Sequence, residues 1–260
     1  MDLKIFRKII RLKIVLLALL LPLIFSGCSF FNIFSKQETA KASPEALYSR
    51  ASAEFKDGHY KKAQESFLRL KEEYPLHELA ILAEVGIADS LYSDKEYAEA
   101  ENAYNDFVSL HPVNENVPYA IYQSGMCHYN QMGDIDRDQT ETIKAKKEWE
   151  KLVARYPESK FSTMAEKLIR ECKQKLAEQE FYIGRFYFRQ KKYQAALSRF
   201  EKVAHDYANV GLDYKIEYYI KETKAKIAEE EKIKLKKEAD KKLKEEEQLK
   251  KAADNDKNKR

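Results

Sequence analysis

Residues 58–75 read GHYKKAQESFLRLKEEYP, and residues 95–112 read KEYAEAENAYNDFVSLHP. The two stretches share five positions at a constant displacement of 37 residues: an aromatic residue, an alanine, a second aromatic residue, an apolar residue and a proline. Similar patterns recur twice further along the chain, at Ala145, Trp149, Leu152, Tyr156 and Pro157 and at Tyr193, Ala196, Phe200, Val203 and Tyr207. Four copies in register indicate a chain built from a repeated structural unit.

The pattern within each unit is typical of the tetratricopeptide repeat (TPR), a pair of antiparallel helices. In this repeat a small residue lies where the two helices cross, an aromatic residue follows about one turn later, and a proline ends the second helix. The first helix of every unit also has a small residue at its crossing position: Ala51, Ala88, Gly125 and Gly184. Only 7 glycines and 6 prolines occur among 260 residues, which also favours helices. We therefore predict an all-α TPR superhelix of about five helix-turn-helix units.

Departures from the regular spacing predict where the superhelix is interrupted. The third unit carries extra residues around 132–139. A further helix at about 161–177 precedes the fourth unit and can run into the first helix of that unit. A last helix at about 211–228 closes the stack. The charged tail 229–260 has few large apolar groups, so we expect it to be either helical or disordered.

The N-terminus has the features of an export signal. Residues 1–13 carry five basic residues and one acidic residue, and the next twelve residues are uncharged. Twelve apolar residues are too few to span a bilayer comfortably, so a cleaved signal peptide at 1–27 is favoured over the alternative, a signal-anchor segment. The stretch PLIFSGCSFF at 22–31 resembles the bacterial lipobox. This predicts that Cys28 is acylated, begins the mature protein and attaches the linker 28–43 to a membrane.

Charge and motifs argue against several classes of function. Removing the signal peptide takes away five of 47 basic and one of 43 acidic residues, which leaves 42 of each. Such a balanced chain lacks the basic surface that binds nucleic acid. The sequence has no nucleophile elbow, zinc-protease motif or phosphate loop, so we predict no enzymatic activity and no cofactor. Cys127 and Cys172 are expected to be structural thiols; a disulfide between them is the alternative in an oxidising compartment.

Three aspartates at alternate positions have the spacing that opens a calcium loop: Asp134, Asp136 and Asp138. The loop would require glycine and glutamate at the positions that hold Gln139 and Ala145, so the calcium interpretation fails. Asp136 or Asp138 is instead expected to cap a helix, with Gln139 or Glu141 as the capping-box partner. The five histidines show no paired metal-ligand spacing, and no metal site is predicted.

The first helices of a TPR stack line a concave surface, with contact positions about two turns apart. In the first three units these positions hold five aromatic residues, Tyr48, Phe55, Tyr92, Tyr122 and Tyr129, and four others, Ser52, Val85, Asp89 and Met126. Aromatic side chains bury a large area at low entropy cost, and tyrosine keeps a polar tip. The groove therefore suits an extended peptide with aromatic side chains. The alternative is that these rings fill the core within each unit.

Several stretches together resemble the BamD family, the TPR lipoproteins of the β-barrel assembly machinery in the Gram-negative outer membrane. They are the lipobox, the N-terminal repeats, the insertion DRDQT at 136–140 and the segment LAEQEFYIGRFYFRQKKYQAALSRFEKV at 176–203. The resemblance covers residues 44–219. The charged tail is not part of the family pattern.

This resemblance implies a scaffold without enzymatic activity, lipid-anchored in the outer membrane and facing the periplasm. The N-terminal repeats, 44–157, would bind the aromatic-ended C-terminal signal of unfolded outer-membrane proteins. The C-terminal repeats, 158–228, would dock on the barrel-forming subunit BamA, beside other lipoproteins of the complex. Arg199 lies where the family also places arginine, which implies contact with an acidic loop of BamA; local pairing is the alternative. A different TPR lipoprotein, an adaptor for peptidoglycan hydrolases or cell-division factors, is the alternative function.

Overall fold

The computed structural model describes residues 41–257, which form nine α-helices and no β-strand. The helices are α1 (Pro44–Lys56), α2 (Tyr60–Glu73), α3 (Glu78–Ser93), α4 (Tyr97–Leu110), α5 (Val117–Tyr129), α6 (Thr140–Arg155), α7 (Lys160–Arg189), α8 (Tyr193–Asp206) and α9 (Asp213–Lys257). This architecture confirms the prediction of an all-α repeat protein. The predicted signal peptide 1–27 and the predicted acylation site Cys28 lie outside the described residues.

Consecutive helices pack against each other along the described chain. In the second helix of each unit (α2, α4, α6 and α8), three positions spaced by four and three residues form one buried stripe. The stripe consists of Ala63, Phe67 and Leu70, then Ala100, Tyr104 and Phe107, then Ala145, Trp149 and Leu152, then Ala196, Phe200 and Val203. All of these residues are at most 5% exposed, so the positions that recur in the sequence hold each helix pair together.

The small residues of the first helices lie against the large side chains of this stripe. A Cβ atom on Gly125 would collide with the indole ring of Trp149, and a Cβ atom on Gly184 would lie 2.5 Å from Cε1 of Phe200. The indole N–H of Trp149 also donates to the carbonyl oxygen of Tyr122 at 3.1 Å. A side chain at either glycine would therefore push the two helices of its unit apart.

The same short turn joins the two helices in the first, second and fourth units. Its central residue adopts a positive φ angle: 78° at Gly58, 66° at Lys95 and 57° at Lys191. Glycine adopts this conformation freely, whereas the two lysines carry a small conformational cost that the packing of their helices offsets. In the third unit a longer connection, residues 130–139, takes the place of this turn, as the spacing predicted.

The start of α6 differs in part from the predicted capping box. Asp138 Oδ1 accepts a hydrogen bond from the backbone N–H of Thr140 at 2.9 Å, but the residue at the N-cap position is Gln139, whose side chain makes no capping bond. Gln139 is buried, and its amide donates to the carbonyl oxygen of Asp134 at 2.7 Å. Glu141 pairs with the imidazole ring of His128. The reciprocal capping box is therefore wrong for this described helix start, because a buried amide must satisfy its own polar atoms inside the protein.

The fourth unit begins with the long helix α7, whose 30 residues extend about 45 Å. The first half of α7 packs on α6 and the second half packs on α8, so the further helix predicted at 161–177 is continuous with the first helix of the fourth unit. The hydrophobic cores change over inside α7, between Cys172 and Ala177. The division predicted at residue 158 falls near the start of α7, whereas the cores divide in its middle.

The last helix, α9, is longer than predicted. It continues through residue 228, where the closing helix was expected to end, to Lys257, so the helical alternative for the tail is the one observed. Among the side chains that the structure describes, the last buried one is Thr223, and residues 229–251 are all exposed. Lysine and glutamate favour helix and pair across one turn, as Lys241 and Glu245 do at 3.7 Å. Within the described range, no helix has the length and apolar character needed to cross a bilayer.

Candidate functional site

A concave pocket of about 620 Å³ opens across the first helices of the stack. Its walls come from α1, α2, α3, the start of α5 with the two residues before it, and the start of α7. Five aromatic rings line it: Tyr48, Phe55, Phe67, Tyr119 and Phe161. Its charged groups are two lysines and two acids: Lys56, Lys160, Asp89 and Glu115. Ligand sites typically combine this size with apolar walls and a few polar groups.

Two of the five predicted groove aromatics line this pocket, Tyr48 and Phe55. Three of the four other predicted contact positions also line it: Ser52, Val85 and Asp89. Tyr48 packs edge-on against Phe67 with ring centroids 5.6 Å apart, and Phe55 packs in the same way against Tyr60 at 5.5 Å. Both side chains are only half buried, so each keeps part of its ring open to the pocket. These contacts fix the orientation of the two rings before any ligand arrives.

The other three predicted groove aromatics, Tyr92, Tyr122 and Tyr129, do not line the pocket. The rings of Tyr122 and Tyr129 lie 6.2 and 5.6 Å from the ring of Trp149. The hydroxyl of Tyr129 donates to Glu171 at 2.8 Å, and this hydrogen bond, with burial, raises the pKa of Tyr129 to about 12. Tyr92 is half buried on α3. The structure therefore does not bring the five rings into one groove.

Sequence reasoning missed several residues of the pocket. Leu82 and Tyr119 each stand six residues before the small crossing residue of their helix, so testing one more turn of the repeat pattern would have found both. Lys160 and Phe161 belong to α7 and left no comparable signal. They reach the pocket only because the stack brings the start of α7 to its edge.

Asp89 is the most constrained polar group of the pocket. The hydroxyls of Tyr104 and Tyr119 both donate to its Oδ1 atom, at 2.6 and 2.8 Å. The amide of Gln123 in turn donates to the Tyr119 oxygen at 3.0 Å, which orients that hydroxyl. Burial raises the pKa of Asp89, although the two tyrosine hydrogen bonds act in the opposite direction. The side chain is therefore held rigidly at the wall of the pocket.

Arg199, the residue implied in docking, lies on α8 and pairs with Glu180 of α7. Its Nη1 atom donates to Glu180 Oε2 at 2.8 Å, and Lys202 donates to Oε1 of the same carboxylate. Burial opposes the ionisation of Glu180, but the hydrogen bonds from Lys202 and Arg199 outweigh it and lower the pKa of Glu180. The Arg199 side chain is 39% exposed, so the guanidinium is oriented internally and still reaches solvent.

The described residues offer no reactive thiol pair and no metal cluster. Cys127 and Cys172 are both free and fully buried, and burial raises the pKa of each to about 12. Such thiols react slowly because the thiolate is the reactive form. No group of histidine, cysteine and acidic side chains within this part of the chain could hold a metal ion.

The sequence matches the YfiO family, described as an outer membrane lipoprotein family, over residues 40–254. The outer membrane protein assembly factor BamD of Rickettsia prowazekii (strain Madrid E) is 31% identical over 196 residues, which cover 75% of this chain and 76% of that protein. The protein of the same name from Neisseria meningitidis serogroup B is 28% identical over 210 residues, with coverages of 76% and 79%. Among solved structures, a thermophilic TPR protein of Thermus thermophilus matches with a TM-score of 0.39 and 16% identity, covering 68% of this chain and 97% of that one.

Proposed function

The chain belongs to the YfiO family of outer membrane lipoproteins, and we propose that it serves outer membrane protein assembly as a scaffold without catalytic activity. In this proposal the N-terminal repeats hold an extended segment of an unfolded outer-membrane protein. The C-terminal repeats dock on a BamA-like barrel subunit, beside other lipoproteins of the complex. Acylated Cys28 anchors the scaffold in the outer membrane, with the repeats facing the periplasm.

The aromatic pocket is the observation that supports client binding most directly. Tyr48 and Phe55 present partly open rings along α1, and Phe161 adds a third ring from α7. An extended peptide can place alternate side chains between such rings while its backbone stays solvated. The charged groups of the pocket balance, so the rings rather than net charge would supply most of the binding free energy.

Client binding can be tested with a labelled peptide that copies the aromatic-ended C-terminus of a barrel protein. We expect Phe55→Ala and Tyr48→Ala to weaken binding about 5- to 150-fold, because each removes a packed aromatic anchor worth about 1 to 3 kcal/mol. Fluorescence anisotropy measures the affinity, and a thermal melt of each variant reports folding. Folded Phe55→Ala and Tyr48→Ala proteins that bind as well as the parent would show that the client site lies elsewhere.

Tyr129→Ala is the matched control for this experiment. It removes an aromatic ring from a first helix, but from the contact with Trp149 rather than from the pocket. We expect it to lower the melting temperature and to leave peptide affinity close to that of the parent. Equal weakening by Tyr129→Ala and Phe55→Ala, with both proteins folded, would contradict the assignment of the client to this pocket.

Docking of the barrel subunit can be tested at Arg199. We expect Arg199→Glu to reduce co-purification of a BamA-like subunit from solubilised membranes, because a planar guanidinium can bind a partner carboxylate through two hydrogen bonds. Lys202→Glu is the control, since it also places a second carboxylate beside Glu180 and so perturbs the fold to a similar degree. Full retention of the barrel subunit by Arg199→Glu would remove Arg199 from the interface. Failure of the parent protein to retain any barrel subunit would favour the adaptor function.

The lipid anchor can be tested at Cys28. One acyl chain holds a protein to a membrane only marginally, whereas several chains hold it stably. We expect Cys28→Ser to move the protein from the membrane pellet into soluble or unprocessed fractions after a carbonate wash. Normal processing and unchanged pelleting of this variant would argue against acylation at that residue.

A further inference from the structure

Asp89 uses only one of its two carboxylate oxygens inside the protein. Both tyrosine hydroxyls, from Tyr104 and Tyr119, donate to Oδ1. Among the described residues no hydrogen bond reaches Oδ2, and that atom is not enclosed by the protein. Since Asp89 is half buried and lines the pocket, Oδ2 is a fixed hydrogen-bond acceptor that is open to a ligand.

No lysine or arginine pairs with this carboxylate in the described part of the chain. Burial of a carboxylate without a cationic partner costs stability, as the raised pKa of Asp89 also indicates. Polar groups kept in a pocket at such a cost are frequently the ones that contact a ligand. The lysines of the pocket, Lys56 and Lys160, balance Asp89 and Glu115 overall, so the net charge of the pocket does not favour a cationic ligand.

Aromatic side chains line the wall of the pocket beside Asp89. Phe67 packs directly beneath the backbone of Gly86, where a Cβ atom would lie 2.6 Å from the ring, and Gly86 precedes Asp89 by less than one helical turn. Tyr48 packs on Phe67, and Tyr119 is bonded to Asp89 itself. The wall of the pocket therefore combines ring-stacking surface with one acceptor.

We propose that Asp89 makes this pocket selective for an aromatic side chain that carries a hydrogen-bond donor, the tyrosine or tryptophan of an extended peptide, over phenylalanine. The ring of the ligand lies among the aromatic walls, and its O–H or N–H donates to Asp89 Oδ2. A neutral donor suits this position because it satisfies the carboxylate without bringing a second charge out of water. This inference rests on the proposed function, since it assigns the side-chain chemistry of the client peptide.

Two client peptides that differ only by tyrosine or phenylalanine at the anchoring position test the inference. We expect the full-length protein in detergent to bind the tyrosine peptide about tenfold more tightly, as a hydrogen bond to a charged acceptor predicts. Asp89→Asn keeps an oxygen for Tyr104 and Tyr119 but replaces the charged acceptor at Oδ2 with a neutral amide N–H₂. The ligand then loses the bond to a charged acceptor and can form at most a weaker neutral bond, so the preference should fall well below tenfold. Asp106→Asn, an exposed change on α4 outside the pocket, is the matched control and should keep the preference.

The outcomes separate this inference from the proposed function. Equal affinity of the unmodified protein for the two peptides would overturn the role of Asp89 while leaving client binding intact. Tighter binding of a third peptide with lysine at that position would also overturn it, because the site would then select a cation. Binding of none of the peptides would instead contradict the proposed function.

The pH dependence of the unmodified protein provides a second test that does not depend on the folding of Asp89→Asn. The tyrosine preference should fall as the pH drops through the raised pKa of Asp89, because a protonated carboxyl is a weaker acceptor. The groups that face Asp89 or share the pocket with it are Tyr104, Tyr119, Glu115, Lys56 and Lys160. Glu115 sits at the pocket edge and would affect both peptides alike, so only a change in the ratio of affinities supports Asp89. A constant ratio across the acidic range would overturn the inference.

Discussion

Asp89 in the N-terminal repeats and Glu180 in the C-terminal repeats are both carboxylates on the first helix of a unit, and each accepts two hydrogen bonds. Asp89 accepts them from neutral tyrosine hydroxyls, and burial raises its pKa. Glu180 accepts them from Arg199 and Lys202, which lower its pKa in spite of burial. The C-terminal carboxylate is thus neutralised inside the protein and joins two helices. The N-terminal one remains open to the pocket and would gain a partner from a ligand.

The largest loss of stability is expected from Phe200→Ala, which tests whether the N-terminal and C-terminal repeats unfold as separate units. Phe200→Ala removes the ring that contacts Gly184, Phe181 and Tyr219, and we expect it to cost about 3 to 5 kcal/mol of stability. Trp149, the single tryptophan, lies in the N-terminal core and reports that region by fluorescence, while circular dichroism reports all helices. In urea the dichroism of the variant should change before the fluorescence. Coincident transitions would show that α7 couples both cores into one unit.

A smaller effect is expected from Glu180→Gln. We expect the free energy of unfolding to fall by about 1 kcal/mol at neutral pH. The loss is small because Arg199 and Lys202 are 39% and 44% exposed, so solvent screens their attraction to Glu180. Since the pKa of Glu180 is lowered in the folded protein, its stabilising contribution is present at neutral pH and is lost as the pH falls through that lowered pKa. Melting temperatures across the acidic range should therefore decline less in Glu180→Gln than in the parent. Parallel curves would contradict the assigned role of the pair.

Asp89→Asn is expected to change the stability at neutral pH in the opposite direction, as a gain. Because the pKa of Asp89 is raised on folding, the protonated form is favoured in the folded state, and this stabilisation is lost as the pH rises through the raised pKa. An amide has no charge to desolvate, so the variant should be more stable at neutral pH, by about 0.5 to 1 kcal/mol. Its melting temperature should approach that of the parent as the pH falls. Marked destabilisation at neutral pH would mean that the carboxylate is a structural group like Glu180.

The smallest effect is expected from deletion of residues 229–260. The described hydrophobic clusters end before this segment, and residues 229–251 are exposed, so neither region depends on the tail for packing. We expect the stability to change by no more than about 0.5 kcal/mol. Chemical unfolding of the chain with and without the tail measures the difference. A larger loss of stability that is seen by circular dichroism but not by Trp149 fluorescence would show that the tail supports the C-terminal repeats.

The repeat positions were predictable because each depends on local spacing. Ala63, Phe67 and Leu70 recur at helical intervals in every unit, and the structure buries all four sets. The groove was predictable only in part. Tyr48 and Phe55 line the pocket, whereas Tyr122 and Tyr129 lie against Trp149, although all of them occupy comparable positions in their repeats. Position on a helix therefore fixes a face of that helix but does not decide what covers the face.

The fold class, the register of the helix pairs, the insertion in the third unit and the continuous course of α7 could all be inferred from the order of the amino acids. These features follow from periodicities within one helix or between two adjacent helices. The tertiary structure alone decided that Lys160 and Phe161 line the same pocket as Tyr48. These residues lie far apart in the sequence, and the curvature of the stack that joins them is the sum of many small rotations between units. The partners of the two acids are also decided by tertiary packing. Glu180 faces Arg199 and Lys202 on α8, whereas Asp89 faces tyrosines of α4 and α5, because the neighbouring helices bring these side chains to each carboxylate.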